Sequence, residues 1–219
     1  MMERTINTVF FDVGNVLVEF SIRRSCEELA RHSGRTVEEL LETYVRPEWV
    51  DPLETGTISG RMFYEILARD LDLPEQVSYE VFAEWMGDIF LDPPSVILEA
   101  IQDLRHGVRK FLTSNTMELH WNYLERVPSV RLFRPEEYIR SYDPDVQVRK
   151  PSKKFFERAL ARAHVRPEQV LYIDDIRDNL ATFSAMGGTT AYFSLLEHEP
   201  IRLRHILDAH GLTTRTVHL

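Results

Sequence analysis

The sequence predicts an α/β protein in which helices cover a parallel sheet and a smaller helical unit is inserted near the start. Two apolar runs without polar alternation, at residues 8–11 and 170–173, are typical of strands buried on both faces, and we interpret residues 108–112, which include Arg109 and Lys110, as a third such strand. Helical patterns separate these runs, and alternating strands and helices favour right-handed crossovers. The predicted fold class is therefore α/β, a Rossmann-like doubly wound parallel sheet with an inserted helical cap domain.

The elements of the predicted sheet domain follow one another along the chain. The first strand ends in Asp12, and the domain resumes only after a long insertion. Residues 95–104 and 155–163 carry apolar stripes at helical spacing, which predicts two helices that pack on the sheet. A weaker strand at 190–193 and a short helix within 199–211 complete this domain.

The inserted segment contains no buried-strand run, and helical patterns dominate it. Thr36 and Glu39 form a capping box, which is a sequence signature of a helix start. Asp92-Pro93-Pro94 predicts a hinge back to the sheet domain, because proline terminates helices and stiffens the chain. We expect residues 1–19 and 95–219 to form the α/β core domain, and residues 20–94 to form the helical cap domain over the carboxyl ends of the strands.

The composition of the 219-residue chain excludes several classes of protein. It is 43% hydrophobic and 28% charged, which is ordinary for a globular protein and excludes a disordered one. A formal net charge of −9 opposes binding to phosphate backbones, so we expect no nucleic-acid partner. Charges interrupt every apolar run well short of membrane-spanning length, and a single cysteine excludes a disulfide within the chain. We expect a cytoplasmic protein with no membrane partner, and the sequence does not define its oligomeric state.

Each of the three predicted buried strands ends in polar residues. Asp12 ends the first strand, Ser114 and Asn115 end the second, and Asp174 and Asp175 end the third. In an open parallel sheet, ligands bind just outside the carboxyl ends of the strands, where loops and helix starts converge. We therefore expect these side chains to line one crevice.

Lys150 is expected to join this crevice from the start of a helix. Three carboxylates in one crevice repel each other and require a cation, and hard oxygen ligands select Mg²⁺. Mg²⁺ together with Lys150 would offset the charge of an incoming phosphate, whose oxygens Ser114 and nearby amides would hold. Asp12 could then attack phosphorus in line and form an aspartyl-phosphate that water hydrolyses.

Four short motifs, in this order, resemble those of the haloacid dehalogenase (HAD) superfamily. They are Phe10-Phe11-Asp12-Val13-Gly14-Asn15-Val16-Leu17, Leu112-Thr113-Ser114-Asn115, Lys150-Pro151 and Ile173-Asp174-Asp175-Ile176-Arg177-Asp178-Asn179. The resemblance covers essentially the whole chain, and the inserted helices resemble the helical cap of this family. The Gly-Asn-Val form of the first motif is similar to that of small sugar-phosphate phosphatases and of the phosphatase-like half of soluble epoxide hydrolases.

This resemblance implies a Mg²⁺-dependent phosphomonoester hydrolase that acts on a small phosphorylated metabolite such as a sugar phosphate. Asp12 would be the nucleophile, and Lys150 would steady both Asp12 and the phosphate. The metal ligands would be Asp12, the backbone carbonyl of Gly14, Asp175 and, nearby or through water, Asp174. The phosphate would be held by Ser114, Asn115 and Lys150, while Asn179 would support the outer shell of the metal.

Gly14 departs from the pattern of many HAD phosphatases, which carry a second aspartate at that place to protonate the leaving oxygen. General acid–base catalysis contributes about 10²- to 10⁴-fold, so its loss implies slow hydrolysis of alkyl phosphates. His120 and the cap residues Glu48 and Asp51 are candidate donors of the proton. Alternatively, the substrate has an easier leaving group such as an anomeric hydroxyl, or the enzyme is weak. If the site has room, Gly14→Asp should raise turnover on alkyl phosphates.

Two other functions are compatible with the sequence. A metal-free 2-haloacid dehalogenase on the same scaffold would use Asp12 to attack carbon, although such a site gains nothing from the adjacent acids Asp174 and Asp175. A non-enzymatic or weakly active relative would bind a phosphorylated metabolite without efficient turnover. Gly14 is the feature that keeps this last alternative open.

Overall fold

The computed structural model describes residues 6–44 and 46–214. Its strands are β1 (Thr8–Phe11), β2 (Arg109–Ser114), β3 (Tyr138–Arg140), β4 (Val170–Asp174) and β5 (Thr189–Tyr192). They form one sheet in the order β3-β2-β1-β4-β5, and all neighbouring strands are parallel. The predicted α/β class is therefore confirmed, while residues 1–5 and 215–219 of the predicted core domain lie outside the described residues.

The central strand β1 is buried on both faces, which explains its unbroken apolar sequence. Val9 and Phe11 pack into a hydrophobic cluster that includes Leu112 of β2. Phe10 belongs to a second cluster, together with Tyr172 of β4. Because successive side chains of a strand point to opposite faces, β1 contributes to both halves of the core.

In the part of the chain that the structure describes, five helices follow β1 before the chain returns to the sheet. They are α1 (Ile22–Ser33), α2 (Val37–Tyr44), α3 (Pro47–Glu54), α4 (Gly60–Asp70) and α5 (Tyr79–Gly87). Their apolar faces enclose a third cluster, in which Cys26, Leu29, Phe63 and Phe82 are buried. All five helices fall within the predicted segment 20–94.

Local signals fix the ends of these helices, and tertiary contacts attach them to the sheet domain. The predicted capping box precedes α2, since the Glu39 N–H donates to Thr36 Oγ1 and the Thr36 N–H donates to a Glu39 carboxylate oxygen. The third cluster also includes Met117 and Leu119, which follow β2. The inserted helices therefore share a hydrophobic core with the carboxyl side of the sheet.

The remaining helices accompany the sheet. They are α6 (Ser95–Gln102), α7 (Glu118–Leu124), α8 (Lys153–Ala163), α9 (Arg177–Ala185) and α10 (Ile201–Ala209). The predicted helices at 95–104 and 155–163 correspond to α6 and α8. The sequence does not predict β3, because this edge strand has only three residues and no apolar run. None of the helices in the described residues combines the length and the apolar character that crossing a membrane requires.

The carboxyl ends of three strands meet at one edge of the sheet. Asp12 directly follows β1, Ser114 is the last residue of β2, and Asp174 is the last residue of β4. The Asp12 N–H donates to the carbonyl of Ile173 at 2.9 Å, which extends the pairing of β1 with β4 by one residue. The backbone position of Asp12 is therefore set by the sheet itself.

Candidate active site

A cavity of about 210 Å³ opens at this edge of the sheet. Seven of the eight site residues predicted from the sequence lie on its wall: Asp12, Gly14, Ser114, Asn115, Lys150, Asp175 and Asn179. Asp174, the eighth, is fully buried at the end of β4 and reaches the site through a hydrogen bond from Lys150. Asn15, Phe20, Glu54, Arg149 and Ile176 complete the wall. The chain therefore brings the four motifs to one place.

Three carboxyl groups are the dominant chemical feature of this cavity. One oxygen atom from each of Asp12, Asp174 and Asp175 lies within 4.8 Å of the others. Asp12 and Asp174 are buried, and Asp175 is half-buried. Such a set of hard oxygen donors is the type that divalent cations such as Mg²⁺ prefer.

The ammonium group of Lys150 lies among these carboxylates. Its Nζ donates to Asp12 Oδ1 at 2.6 Å, to Asp174 Oδ2 at 3.0 Å and to the carbonyl oxygen of Thr113 at 2.9 Å. An ammonium group has three hydrogens, so these three bonds use all of its donors. Lys150 therefore acts on a bound anion through its charge as long as this arrangement holds.

Asp174 is held by hydrogen bonds on both of its oxygens. The Ile176 N–H donates to Oδ1 at 2.7 Å, and Asn179 Nδ2 lies 3.1 Å from Oδ1 and 3.0 Å from Oδ2. The hydroxyl of Tyr172 donates to Oδ2, which also accepts from Lys150. Because both of its oxygens already accept hydrogen bonds, Asp174 is better suited to fixing the position of Lys150 than to binding a ligand directly.

Burial is the largest influence on the charged groups of the site. It raises the pKa of Asp12 to about 7; Lys150 opposes this rise, and Asp174 and Asp175 add to it. Burial and the neighbouring Asp174 likewise raise the pKa of Asp175. Burial disfavours the ammonium form of Lys150, but Asp12 and Asp174 outweigh it, so the pKa of Lys150 is also raised.

These shifts test whether a cation fits the site. One ammonium group faces three carboxyl groups, and the pKa of two of them is raised by burial and, to a smaller extent, by the neighbouring carboxyl groups. A divalent cation would correct this imbalance. Asn15 Oδ1 is also buried without a hydrogen-bond partner among the described residues, so it can accept from a water molecule at the site. The donor set therefore fits a hard divalent cation.

The side chain of Asn115 has a different neighbour from the predicted phosphate. Its Nδ2 donates to the carbonyl oxygen of Lys150 at 2.9 Å, and its Oδ1 accepts from the Lys150 N–H at 2.8 Å. Both polar groups of the side chain are thus used to hold the backbone at Lys150. Ser114 is buried at the end of β2, and its side chain lies on the cavity wall.

Asn15 is a site residue that the sequence pattern did not indicate. Its Nδ2 donates to Asp175 Oδ2 at 3.2 Å and so orients that carboxylate. Its backbone has a φ of +55°, a left-handed conformation that asparagine adopts more readily than most residues. Its position directly after Gly14, within the first motif, could have indicated this role. The position of Tyr172, two residues before Asp174 on the same face of the strand, could likewise have indicated its contact with Asp174.

The structure leaves little room for a side chain at residue 14, which was the condition for a gain in turnover by Gly14→Asp. A Cβ atom at residue 14 would lie 2.8 Å from Phe20 Cε1 and 3.2 Å from Phe20 Cδ1, inside normal contact distance. The Phe20 ring in turn packs near Phe90, with ring centroids 6.2 Å apart. Phe20 therefore takes part of the space in which a side chain at residue 14 would stand.

The candidate proton donors have unequal positions. His120 lies on the wall of an adjoining cleft of about 140 Å³, but burial lowers its pKa to about 4, so it is neutral at pH 7. Glu48 is exposed on α3. Asp51 is also exposed and pairs with Arg149. Glu54, which the sequence pattern did not indicate, lies on the walls of both the main cavity and the cleft.

The chain belongs to the haloacid dehalogenase-like hydrolase family, whose pattern matches residues 6–187. It is accordingly a hydrolase. The match extends from the residues before β1 through α9, so it includes all four motifs of the cavity.

Solved structures share this fold. A HAD family enzyme from Bacteroides thetaiotaomicron, in complex with magnesium and inorganic phosphate, is 21% identical with a TM-score of 0.75, covering 88% of this chain and 96% of that one. A HAD-like family hydrolase from Porphyromonas gingivalis is 22% identical with a TM-score of 0.75, covering 93% and 98%. An L-2-haloacid dehalogenase is 19% identical with a TM-score of 0.60, covering 85% and 83%. At these identities the similarity establishes the fold.

Proposed function

We propose that this hydrolase is a magnesium-dependent phosphomonoester hydrolase that acts through an aspartyl-phosphate on Asp12. The observation that carries the proposal is the buried pairing of Asp12 with Lys150, at 2.6 Å, beside two further carboxyl groups. A lysine that favours the ionised form of an aspartate suits a nucleophile, and an adjacent cation site suits a phosphate. The substrate class we propose is a small phosphorylated metabolite such as a sugar phosphate.

For the metal, we propose side-chain ligation by Asp12 and Asp175 and backbone ligation by the carbonyl of Gly14. Asp174 would act through water, and its saturated oxygens support this indirect role. Asn179 would support the outer shell through its hydrogen bonds to Asp174. When bound, the ion would supply positive charge that keeps the carboxylates ionised and offsets the charge of the phosphoryl group. The magnesium complex of the Bacteroides enzyme supports this choice of ion.

The proposed reaction has two steps. In the first, an oxygen of Asp12 forms a bond to phosphorus, and the bond from phosphorus to the ester oxygen breaks. In the second, water attacks the phosphorus, and the bond to Asp12 breaks to release inorganic phosphate. Ser114 and the backbone around Asn115 would hold the phosphoryl oxygens in both steps, while Lys150 would orient Asp12 and favour its ionised form.

We also propose that residues 20–94 form a cap domain on a core made of residues 1–19 and 95–219. Two observations support this division: most residues of the third hydrophobic cluster lie on the inserted helices, and Phe20 and Glu54 reach the cavity wall. Side chains from the cap would then contact the organic part of the substrate.

A metal-free dehalogenase is the competing activity, because one structure of that class shares the fold. Its mechanism needs no divalent cation, whereas here three carboxyl groups lie within reach of one another beside a single ammonium group, and burial and neighbouring carboxyl groups raise the pKa of Asp12 and Asp175. The charge balance therefore favours the metal-dependent reaction. Chloride release from a 2-haloacid in the presence of a chelator would reverse this preference.

The test is hydrolysis of p-nitrophenyl phosphate, whose leaving group needs little protonation. We expect activity with Mg²⁺, loss of activity with a chelator, and no activity in Asp12→Asn, with an unchanged circular dichroism spectrum. Asp178→Asn is the matched control, since Asp178 is an exposed acid on α9. An active Asp12→Asn protein would refute the assigned nucleophile.

A further inference from the structure

We propose that Glu54, at the end of α3, is the general acid that protonates the leaving oxygen in place of the aspartate absent at Gly14. This inference rests on the proposed phosphatase function and adds a catalytic residue to it. The family pattern places this acid two residues after the nucleophile, whereas the proposal places it on an inserted helix.

The position of Glu54 carries the argument. Its side chain is only 14% exposed and lies on the wall of the main cavity with Asp12 and Ser114. It also lies on the wall of the adjoining cleft, which is otherwise mainly apolar and includes Phe20 and His120. Among the described residues, Glu54 supplies the carboxyl group common to both walls. The ester oxygen joins the phosphoryl group to the organic group, so it would lie where these two spaces meet.

The surroundings of Glu54 favour a protonated carboxyl group. Burial raises its pKa, and the exposed Asp51 contributes in the same direction. Arg149 and Lys150 oppose this rise without cancelling it. Arg149 Nε donates to Oε2 at 2.5 Å, which fixes the carboxyl group and leaves Oε1 as the oxygen for the proton. A buried carboxyl group with a raised pKa is the usual general acid at neutral pH.

The other candidate donors are less suited to this step. His120 shares the cleft, but burial lowers its pKa to about 4, so it holds no transferable imidazolium proton at pH 7. Glu48 and Asp51 are exposed. Glu54 therefore combines a position on both walls with a pKa that burial raises.

Glu54 donates one proton in the first step and accepts one in the second. As the bond from phosphorus to the ester oxygen breaks, the Oε1–H bond of Glu54 also breaks, and the proton passes to the ester oxygen to give an alcohol. Glu54 is left as a carboxylate. When water attacks the aspartyl-phosphate, Glu54 accepts a proton from that water and returns to its acid form.

The test measures kcat/KM for a series of aryl and alkyl phosphates whose alcohols differ in acidity. This parameter reports the steps up to departure of the leaving group, so the later role of Glu54 does not enter it. In Glu54→Gln we expect a loss of about 10²- to 10⁴-fold for alkyl phosphates and less than about 3-fold for p-nitrophenyl phosphate. The wild-type rates should depend weakly on leaving-group acidity, and those of the variant steeply.

Two control variants separate catalysis from positioning. Glu48→Gln makes the same chemical change on the exposed side of α3, and Asp51→Asn removes the other carboxylate that pairs with Arg149. Both should keep the wild-type dependence on the leaving group. An equal loss on all substrates in Glu54→Gln, no loss at all, or a steep dependence in the wild type would each overturn the assignment of Glu54 alone. A wild type that fails to cleave p-nitrophenyl phosphate with Mg²⁺ would overturn the proposed phosphatase function, and the inference with it.

Discussion

The ring of Phe20 lies against Gly14 so closely that a Cβ atom at residue 14 would be 2.8 Å from Phe20 Cε1. Phe20 immediately precedes the inserted helices, and Gly14 belongs to the first motif. This contact therefore joins the base of the insertion to the loop that follows the nucleophile. Restoring the aspartate of related phosphatases at residue 14 requires the ring to move.

Gly14→Asp is accordingly expected to destabilise the protein by about 1–3 kcal/mol, as overpacking of a filled site does. We expect no gain in turnover on alkyl phosphates, and urea unfolding together with phosphate-release assays measures both effects. Gly14→Ala is the matched control, because it adds the crowded Cβ atom without the carboxylate. A Gly14→Asp protein as stable as the wild type and faster on alkyl phosphates would contradict the steric interpretation.

Lys150→Met should cost about 3–5 kcal/mol in the free energy of unfolding of the metal-free protein. The substitution leaves Asp12 and Asp174 buried without the ammonium group that both now bind. Lys153→Met is the control, because Lys153 is exposed and its pair with Glu157 lies at the surface. Equal stabilities of the two variants, measured by urea unfolding with a chelator present, would show that the buried ion pair is not needed for folding.

The half-buried His120 should make stability fall in mild acid. Its pKa is lowered to about 4 in the folded protein, against 6.5 when unperturbed. Neutral His120 therefore makes its full contribution to stability above pH 6.5. This contribution is lost as the pH falls from 6.5 towards 4, because the histidine of the unfolded chain takes up a proton first.

His120→Gln removes this group. The free energy of unfolding of the variant should therefore fall less than that of the wild type between pH 7 and pH 4.5, and the difference should be on the order of 2 kcal/mol. Urea unfolding at several pH values provides the measurement, and His106→Gln at an exposed histidine is the control. Parallel pH profiles for wild type and His120→Gln would contradict the half-buried, neutral state.

Arg149→Gln should lower the free energy of unfolding by about 1–2 kcal/mol, because it removes the hydrogen bond from Arg149 Nε to the largely buried carboxyl group of Glu54. Arg23→Gln breaks an exposed pair with Glu38 and should cost no more than about 0.5 kcal/mol. Chemical denaturation at fixed salt compares the two. A larger effect in Arg23→Gln would argue against the contact between Arg149 and α3 as a stabilising link.

The sequence predicts the parts of the fold that local pattern determines. The strand β1 is recognisable because it is buried on both faces, and the start of α2 because Thr36 and Glu39 bond to each other. The strand β3 is not recognisable, since its three residues gain their pairing only from the neighbouring β2. The pattern of apolar residues along the sequence indicates burial, whereas the pairing of an edge strand depends on the tertiary arrangement.

The residues of the site likewise divide into those that the sequence predicts and those that depend on tertiary packing. The grouping of Asp12, Lys150 and Asp175 is expected from strand ends and from the family resemblance. The proximity of Glu54 is not expected, because it depends on how α3 packs against the sheet domain. The crowding at Gly14 by Phe20 is likewise a distance between side-chain and backbone atoms that no spacing along the chain encodes.

Because β1 has a hydrogen-bonded neighbour on each side, fraying of the outer strands β3 and β5 leaves Asp12 in register. Opening that reaches this aspartate must also separate β1 from β2 or β4, which amounts to loss of the whole sheet. Amide hydrogens of residues 9–11 should thus exchange only through global unfolding. Thermal inactivation of the enzyme and its cooperative melting should coincide, with no intermediate in which the fold persists and the nucleophile is displaced.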